Sequence, residues 1–292
     1  MSNLWNQDVE MKFFIDSMKY ASPEQLFYVS DKNEYFAYWP KGYKGKKSTL
    51  QSRNSLIGQF TERWSQNLLN EVVNGDGLYA VQGAVCPEIA LPNNSPGDVV
   101  ISSTNSIKQS AENIKVIIEV KMSIVWNWLF ENDKNGFKLS SLGDYNTHSG
   151  TPGLLRSDSM LKAIGKSINI RVSGISGAKI PIIILGNTPI QKSYFEKVDH
   201  LKVGGIVQGF WSVNPNPLDN KGGSIKNTNK DGFRRFDLFD DFKTEFNNLL
   251  SQEMNFFTSM KTKSDLGKII EIANHEKTYE QKAEAFLNMI RR

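Results

Sequence analysis

The sequence predicts an α/β/α sandwich built on a mixed central sheet, with additional helices at both ends. Three observations carry that expectation. Ile114–Ser123 reads I-K-V-I-I-E-V-K-M-S, and Val116, Ile117, Ile118 and Val120 form the apolar, β-branched run of a strand buried on both faces. Lys179–Gly186 reads K-I-P-I-I-I-L-G, a second such strand, with Pro181 at its start where a missing N–H is tolerated. The order strand–strand–strand–helix–strand, framed by helical patterns, wraps helices on both faces of one sheet. At 292 residues the chain is long enough for a sizeable core. The expectation is one domain over residues 1–292, with a central part at about 55–213 and a helical C-terminal part at about 239–292.

The elements follow in order. Residues 1–40 are rich in aromatic rings, expected mostly to pack; Asp8–Tyr20 reads as a helix, and Ser22-Pro23-Glu24 as the start of a short second one. Lys41–Arg53 changes character, with Lys41, Lys44, Lys46, Lys47 and Arg53, two glycines and no acid. It reads either as a solvated loop or as an arm that contacts phosphates. A helix capped by Asn54 or Ser55 runs to about Asn74: Leu56, Phe60, Trp64, Leu68 and Val72 recur every four residues, and Gly75-Asp76-Gly77 ends it. Leu78–Val85 and Asp98–Ser103 are expected strands, joined by a turn-rich stretch through Pro96-Gly97.

Beyond the central strand, Asn132–Pro152 is polar and Gly-rich and reads as a long loop. Leu154–Ile170 reads as a helix with Leu161, Ile164 and Ile168 apolar and Arg156, Lys162 and Lys166 on a basic flank. A short helix at Gln191–Val198 and a strand at Gly204–Val213 precede Asn214–Arg235, a second long loop with Lys221, Lys226, Lys230, Arg234 and Arg235. From Phe239 onward the pattern is helical.

Composition narrows the function. Hydrophobic residues are 39% and charged residues 23%, an ordinary globular mix. The net charge of +4 mildly favours an anionic partner. A single cysteine, Cys86, excludes a disulfide within the chain and a cysteine-rich zinc site. His148, His200 and His275 are too scattered in sequence to suggest a histidine-based metal cluster. With no basic-then-apolar leader pattern and no apolar run near the ~20 residues of a bilayer span, a soluble, cytoplasmic protein without a membrane partner is expected.

Glu119 and Lys121 interrupt the central strand two residues apart, so both side chains share one face. Charges at the end of a buried strand are costly unless paired or used. A second carboxylate, Asp98, opens the preceding strand. A D/E-x-K triplet alone means little: Glu10-Met11-Lys12, Asp219-Asn220-Lys221, Asp241-Phe242-Lys243 and Glu280-Gln281-Lys282 also occur, none after a buried apolar run. Only Glu119-Val120-Lys121 sits on a buried strand, behind a strand carrying Asp98 and ahead of a helix and another buried strand.

That arrangement, over roughly Ser55 to Gly186, resembles the PD-(D/E)XK nuclease superfamily, and most closely its type II restriction endonucleases. One departure is that the proline, Pro96, stands two before Asp98 with Gly97 between. The resemblance implies a restriction-endonuclease-like fold and Mg²⁺-dependent, sequence-specific cleavage of double-stranded DNA. Asp98, Glu119 and the Val120 carbonyl would hold the metal, Lys121 would act on the attacking water, and Glu62 or Glu88 is a candidate extra acid. Lys44, Lys46, Lys47, Arg53, Arg156 and Lys162 are the candidate DNA contacts. A homodimer is expected, since palindromic sites pair with two-fold symmetric proteins. The alternatives are a repair or recombination nuclease, a non-catalytic DNA-binding protein on a nuclease scaffold, or a plain buried ion pair. For a metal site, Asp98 and Glu119 are expected to repel each other without metal, so that removing one leaves stability unchanged or improved.

Overall fold

The computed structural model describes residues 4–47, 50–133, 136–215, 224–252, 254–257 and 260–291. In chain order the elements are α1 (Gln7–Ser17), α2 (Pro23–Leu26), β1 (Tyr28–Val29), β2 (Tyr35–Phe36), α3 (Gln51–Val72), β3 (Tyr79–Ala84), β4 (Gly97–Ser102) and β5 (Ile114–Lys121). There follow β6 (Trp128–Asp133), β7 (Gly136–Ser141), α4 (Ser157–Val172), α5 (Ile175–Lys179), β8 (Ile182–Gly186), α6 (Phe195–Val203) and β9 (Gly209–Ser212). The chain closes with β10 (Phe233–Arg235), α7 (Phe239–Leu250), α8 (Lys263–Ala273) and α9 (Tyr279–Ile290).

The main sheet has six strands in the order β10-β9-β8-β5-β4-β3. β3, β4 and β5 are antiparallel neighbours; β5, β8, β9 and β10 run parallel. Alternation along β5 splits the core in two. Val116, Ile118 and Val120 pack with Leu68, Leu69 and Val72 of α3 and Phe242 and Phe246 of α7. Ile117 packs the other way, with Met160, Ala163 and Ile170 of α4 and Val198 of α6. The molecule is therefore a mixed α/β structure with helices on both faces of a mixed sheet. Glu119 and Lys121 share the alternation of Ile117 and so face the α4 layer.

A second, antiparallel sheet has the order β1-β2-β6-β7. It corrects the long loop expected over Asn132–Pro152, because β6 and β7 pair from Trp128↔Ser141 to Asp133↔Gly136. Trp128 and Phe130 alternate into the core, while Glu131 is exposed, which is the period of a one-sided hairpin. Glu10 ties α1 to this region. Its buried carboxylate accepts from the indole N–H groups of Trp5 and Trp128 (2.9 and 3.0 Å) and from the backbone N–H groups of Val125 and Trp126 (2.6 and 3.1 Å). Burial pushes this carboxyl up to about 8, against the pull of its donors.

Three further expectations are corrected. α3 begins at Gln51, so Arg53 lies inside a helix and not on an arm. α4 buries Met160, Ala163, Ser167, Ile170 and Arg171, while Leu161 and Ile168 are 62% and 41% exposed. Two of the three apolar residues expected to define its packed stripe thus lie off its buried face, which runs instead through Met160, Ala163, Ser167 and Ile170. The basic loop Asn214–Arg235 contains β10, which Phe233 anchors in the core; residues 216–223, including Lys221, lie outside the described residues.

Candidate active site

The site forms where β4 begins and β5 ends. Continuing the pairing Val99↔Ile118 sets Asp98 opposite Glu119 across the two strands. Asp98 Oδ2 accepts the Val120 N–H at 2.8 Å, which holds the carboxylate against the end of β5. Glu119 is only 5% exposed. The chain beyond Lys121 is clipped to the end of β8 through Asn187. The Asn187 side chain accepts the Ser123 N–H (3.1 Å) and donates to the Ser123 carbonyl (2.6 Å). Gly153, at φ +55°, passes so close that a Cβ would stand 3.2 Å from the Lys121 carbonyl and 2.9 Å from Thr188 Oγ1. A side chain there is excluded by both conformation and space, and this close passage leads directly into α4.

Two ammonium groups sit between the two carboxylates. Lys121 Nζ lies 2.5 Å from Glu119 Oε1, 3.4 Å from Asp98 Oδ2 and 3.1 Å from the Val120 carbonyl. Lys166, reaching in from α4, lies 2.7 Å from Glu119 Oε2, 3.2 Å from Asp98 Oδ1 and 2.8 Å from the Pro96 carbonyl. The Lys166 ammonium is the ionic partner of the buried Glu119 Oε2. Burial works against both ammonium groups, but Asp98 and Glu119 together hold both lysines above their ordinary range. These contacts favour the ion-pair alternative over bare repulsion between the acids. Each acid is neutralised by two cations, and removing one acid strands lysines.

Sequence reading set Lys166 on the basic flank and missed its place in the cluster. Of the candidate extra acids, Glu62 on α3 is half-buried and accepts from Gln82 at 3.0 Å. Burial, then the nearby Asp98 charge, raises the Glu62 carboxyl above its ordinary range, so it feels the cluster without bonding to it. Glu88 is exposed and accepts the Ala111 N–H at 3.2 Å, a turn contact that does not bring it to the cluster.

The candidate DNA contacts divide. Lys44, Lys46 and Lys47 are exposed, on a turn anchored by the Trp39–Tyr43 ring stack at 4.4 Å. Arg53 is corrected: it is 2% exposed, donates to the Leu26 and Ala37 carbonyls, and lies over the rings of Tyr28 and Tyr38. It braces the N-terminal segment and has no surface for a phosphate. Arg156 and Lys162 are exposed at the start of α4, both paired with Asp158. In the second basic segment, Lys226 and Arg235 pair with Asp237, and Arg234 with Glu245 at 2.7 Å, so much of its charge is internally spent.

Among the described residues no group of three or more His, Cys, Asp or Glu side chains gathers to hold a metal. What gathers is Asp98, Glu119 and the Val120 carbonyl, an all-oxygen set suited to a hard cation such as Mg²⁺, which keeps several waters. The Lys121 ammonium already draws these three oxygens around one positive charge. The residues fit a divalent cation. No family model, curated protein or solved structure matches the chain. Among the described residues no helix is long and apolar enough to cross a membrane.

Proposed function

We propose that the chain is a Mg²⁺-dependent, sequence-specific endonuclease of double-stranded DNA, with a restriction-endonuclease-like core, working as a homodimer. The observation that carries this reading is the convergence of Asp98, Glu119 and Lys121 at the end of a buried strand. Asp98, Glu119 and the Val120 carbonyl would hold the metal, which supplies a lowered water pKa and neutralises charge on the phosphate. The chain's own part is to fix geometry. The Val120 N–H locks Asp98, and the Asn187–Ser123 pair fixes where the strand ends. Lys121 would orient the attacking water or meet the charge developing on the phosphate.

Incubation of phage DNA with purified protein and Mg²⁺ tests the reading. Discrete bands are expected, and Asp98→Ala, Glu119→Ala and Lys121→Ala each abolish them. Structure-dependent nicking without sequence preference points instead to a repair or recombination nuclease. DNA binding with no cleavage by the wild type, over a range of divalent cations, refutes an enzyme and leaves a binding scaffold held by ion pairs.

A further inference from the structure

We infer that Lys166 is a built-in counter-cation that competes with the divalent metal for Asp98 and Glu119. This rests on the reading of those two acids as metal ligands. The pairing is reciprocal: Asp98 gives Oδ2 to Lys121 and Oδ1 to Lys166, and Glu119 gives Oε1 to Lys121 and Oε2 to Lys166. Two carboxylates and two ammonium groups make a closed ring of zero net charge. Both lysine side chains are 18% exposed, so little water screens the ring. Any cation that takes up the carboxylates must displace ammonium contacts.

The two lysines are not equivalent in this exchange. Lys121 shares its strand with Glu119 and has the Val120 carbonyl, itself a candidate metal ligand, as its other partner. Lys166 comes from a different element and is also held by the Pro96 carbonyl at 2.8 Å, which belongs to no ligand set. That anchor keeps the Lys166 charge beside the site whether or not a cation is bound. Lys166 therefore acts as a positioning residue: it keeps the acids together without metal and weakens the metal's hold when it arrives. With a divalent cation added to the ring, the net charge becomes +2, which suits a site that must then accept a phosphate.

The test is calorimetric titration of the protein with Ca²⁺, without DNA, comparing wild type with Lys166→Met and with Lys166→Gln, which keeps a donor for Pro96. Neutralising a cation this close is expected to tighten Ca²⁺ binding about tenfold or more. Lys197→Met, exposed on α6 over the Tyr194 ring, is expected to leave it unchanged. If both Lys166 variants unfold without metal, recovery of the folded state on adding Ca²⁺ supports the exchange, and failure to recover overturns it. Equal or weaker Ca²⁺ binding by folded Lys166 variants, with wild-type binding intact, overturns this inference alone. Absence of Ca²⁺ binding in every protein overturns it together with the proposed metal site.

Discussion

Glu119→Ala, studied without metal, separates the paired cluster from a cluster of crowded acids. In the folded protein Glu119 contacts both Lys121 and Lys166, at 2.5 and 2.7 Å. Truncation leaves two ammonium groups to share Asp98. Breaking a fully buried pair by removing one partner costs roughly 3–5 kcal/mol. The lysines here are 18% exposed, so water recovers part of that, and the expected loss is about 3 kcal/mol. For a chain of this size the loss lowers Tm by about 5–10 °C. Thermal and urea unfolding in excess chelator measure it. Adding Lys166→Met to Glu119→Ala removes one stranded charge, so the double variant is expected to be more stable than the sum of the two single losses. A Glu119→Ala protein as stable as wild type, or more so, would mean that repulsion between Asp98 and Glu119 dominates, and the paired-ring account would be wrong.

Other outcomes follow from the surface and from two buried titratable groups. Replacing Lys44, Lys46 and Lys47 together by Gln is expected to weaken DNA binding, with the slope of log affinity against log salt reduced by about 0.9 per lost phosphate contact. Titrations at several salt concentrations read this, and an unchanged slope removes the turn from the interface. Glu10, pushed by burial from 4.5 to about 8, is expected to make the fold lose stability as pH climbs through that window. His148, held by burial at about 4 instead of 6.5, is expected to make it lose stability as pH falls between those values. Urea unfolding of wild type and His148→Asn from pH 4 to pH 8 distinguishes the two, since the variant should keep the Glu10 slope and lose the other. An acid-side slope unchanged in His148→Asn would contradict the assignment.

The central strand was legible because buried strands must be continuously apolar, so a charge pair inside Ile114–Ser123 stands out against its background. The same holds for β8 and for the long stripe of α3. What stayed hidden depended on partners distant in sequence. Arg53 looks like its neighbours Lys46 and Lys47 in the chain, and only the carbonyls of Leu26 and Ala37 make it a buried brace. Lys166 sits on a helix whose periodicity misleads, because the conspicuous Leu161 and Ile168 are exposed while Met160, Ala163 and Ser167 pack. The β6–β7 hairpin was masked by its polar residues: one face of an antiparallel ribbon meets water, so half its positions read as loop. The acids were found by their position on a strand, whereas the cation joining them from α4 had no local signal at all.

Glu10 bears on how this chain is made and how it can be cut. Its four donors come from Trp5, Val125, Trp126 and Trp128, so three of them lie more than a hundred residues downstream. During synthesis the N-terminal helix leaves the ribosome long before the segment that completes its carboxylate's surroundings, and it must wait, solvated, for the link after β5 and for β6. A deletion begun near residue 55, the natural place to cut from sequence alone, would strip the backbone N–H groups of Val125 and Trp126 of their acceptor just after the site strand ends. Trp5, Phe13, Phe14 and Phe27 share one core with Val116, Ile118 and Val120, so a piece cut at residue 55 also loses part of the packing behind β5.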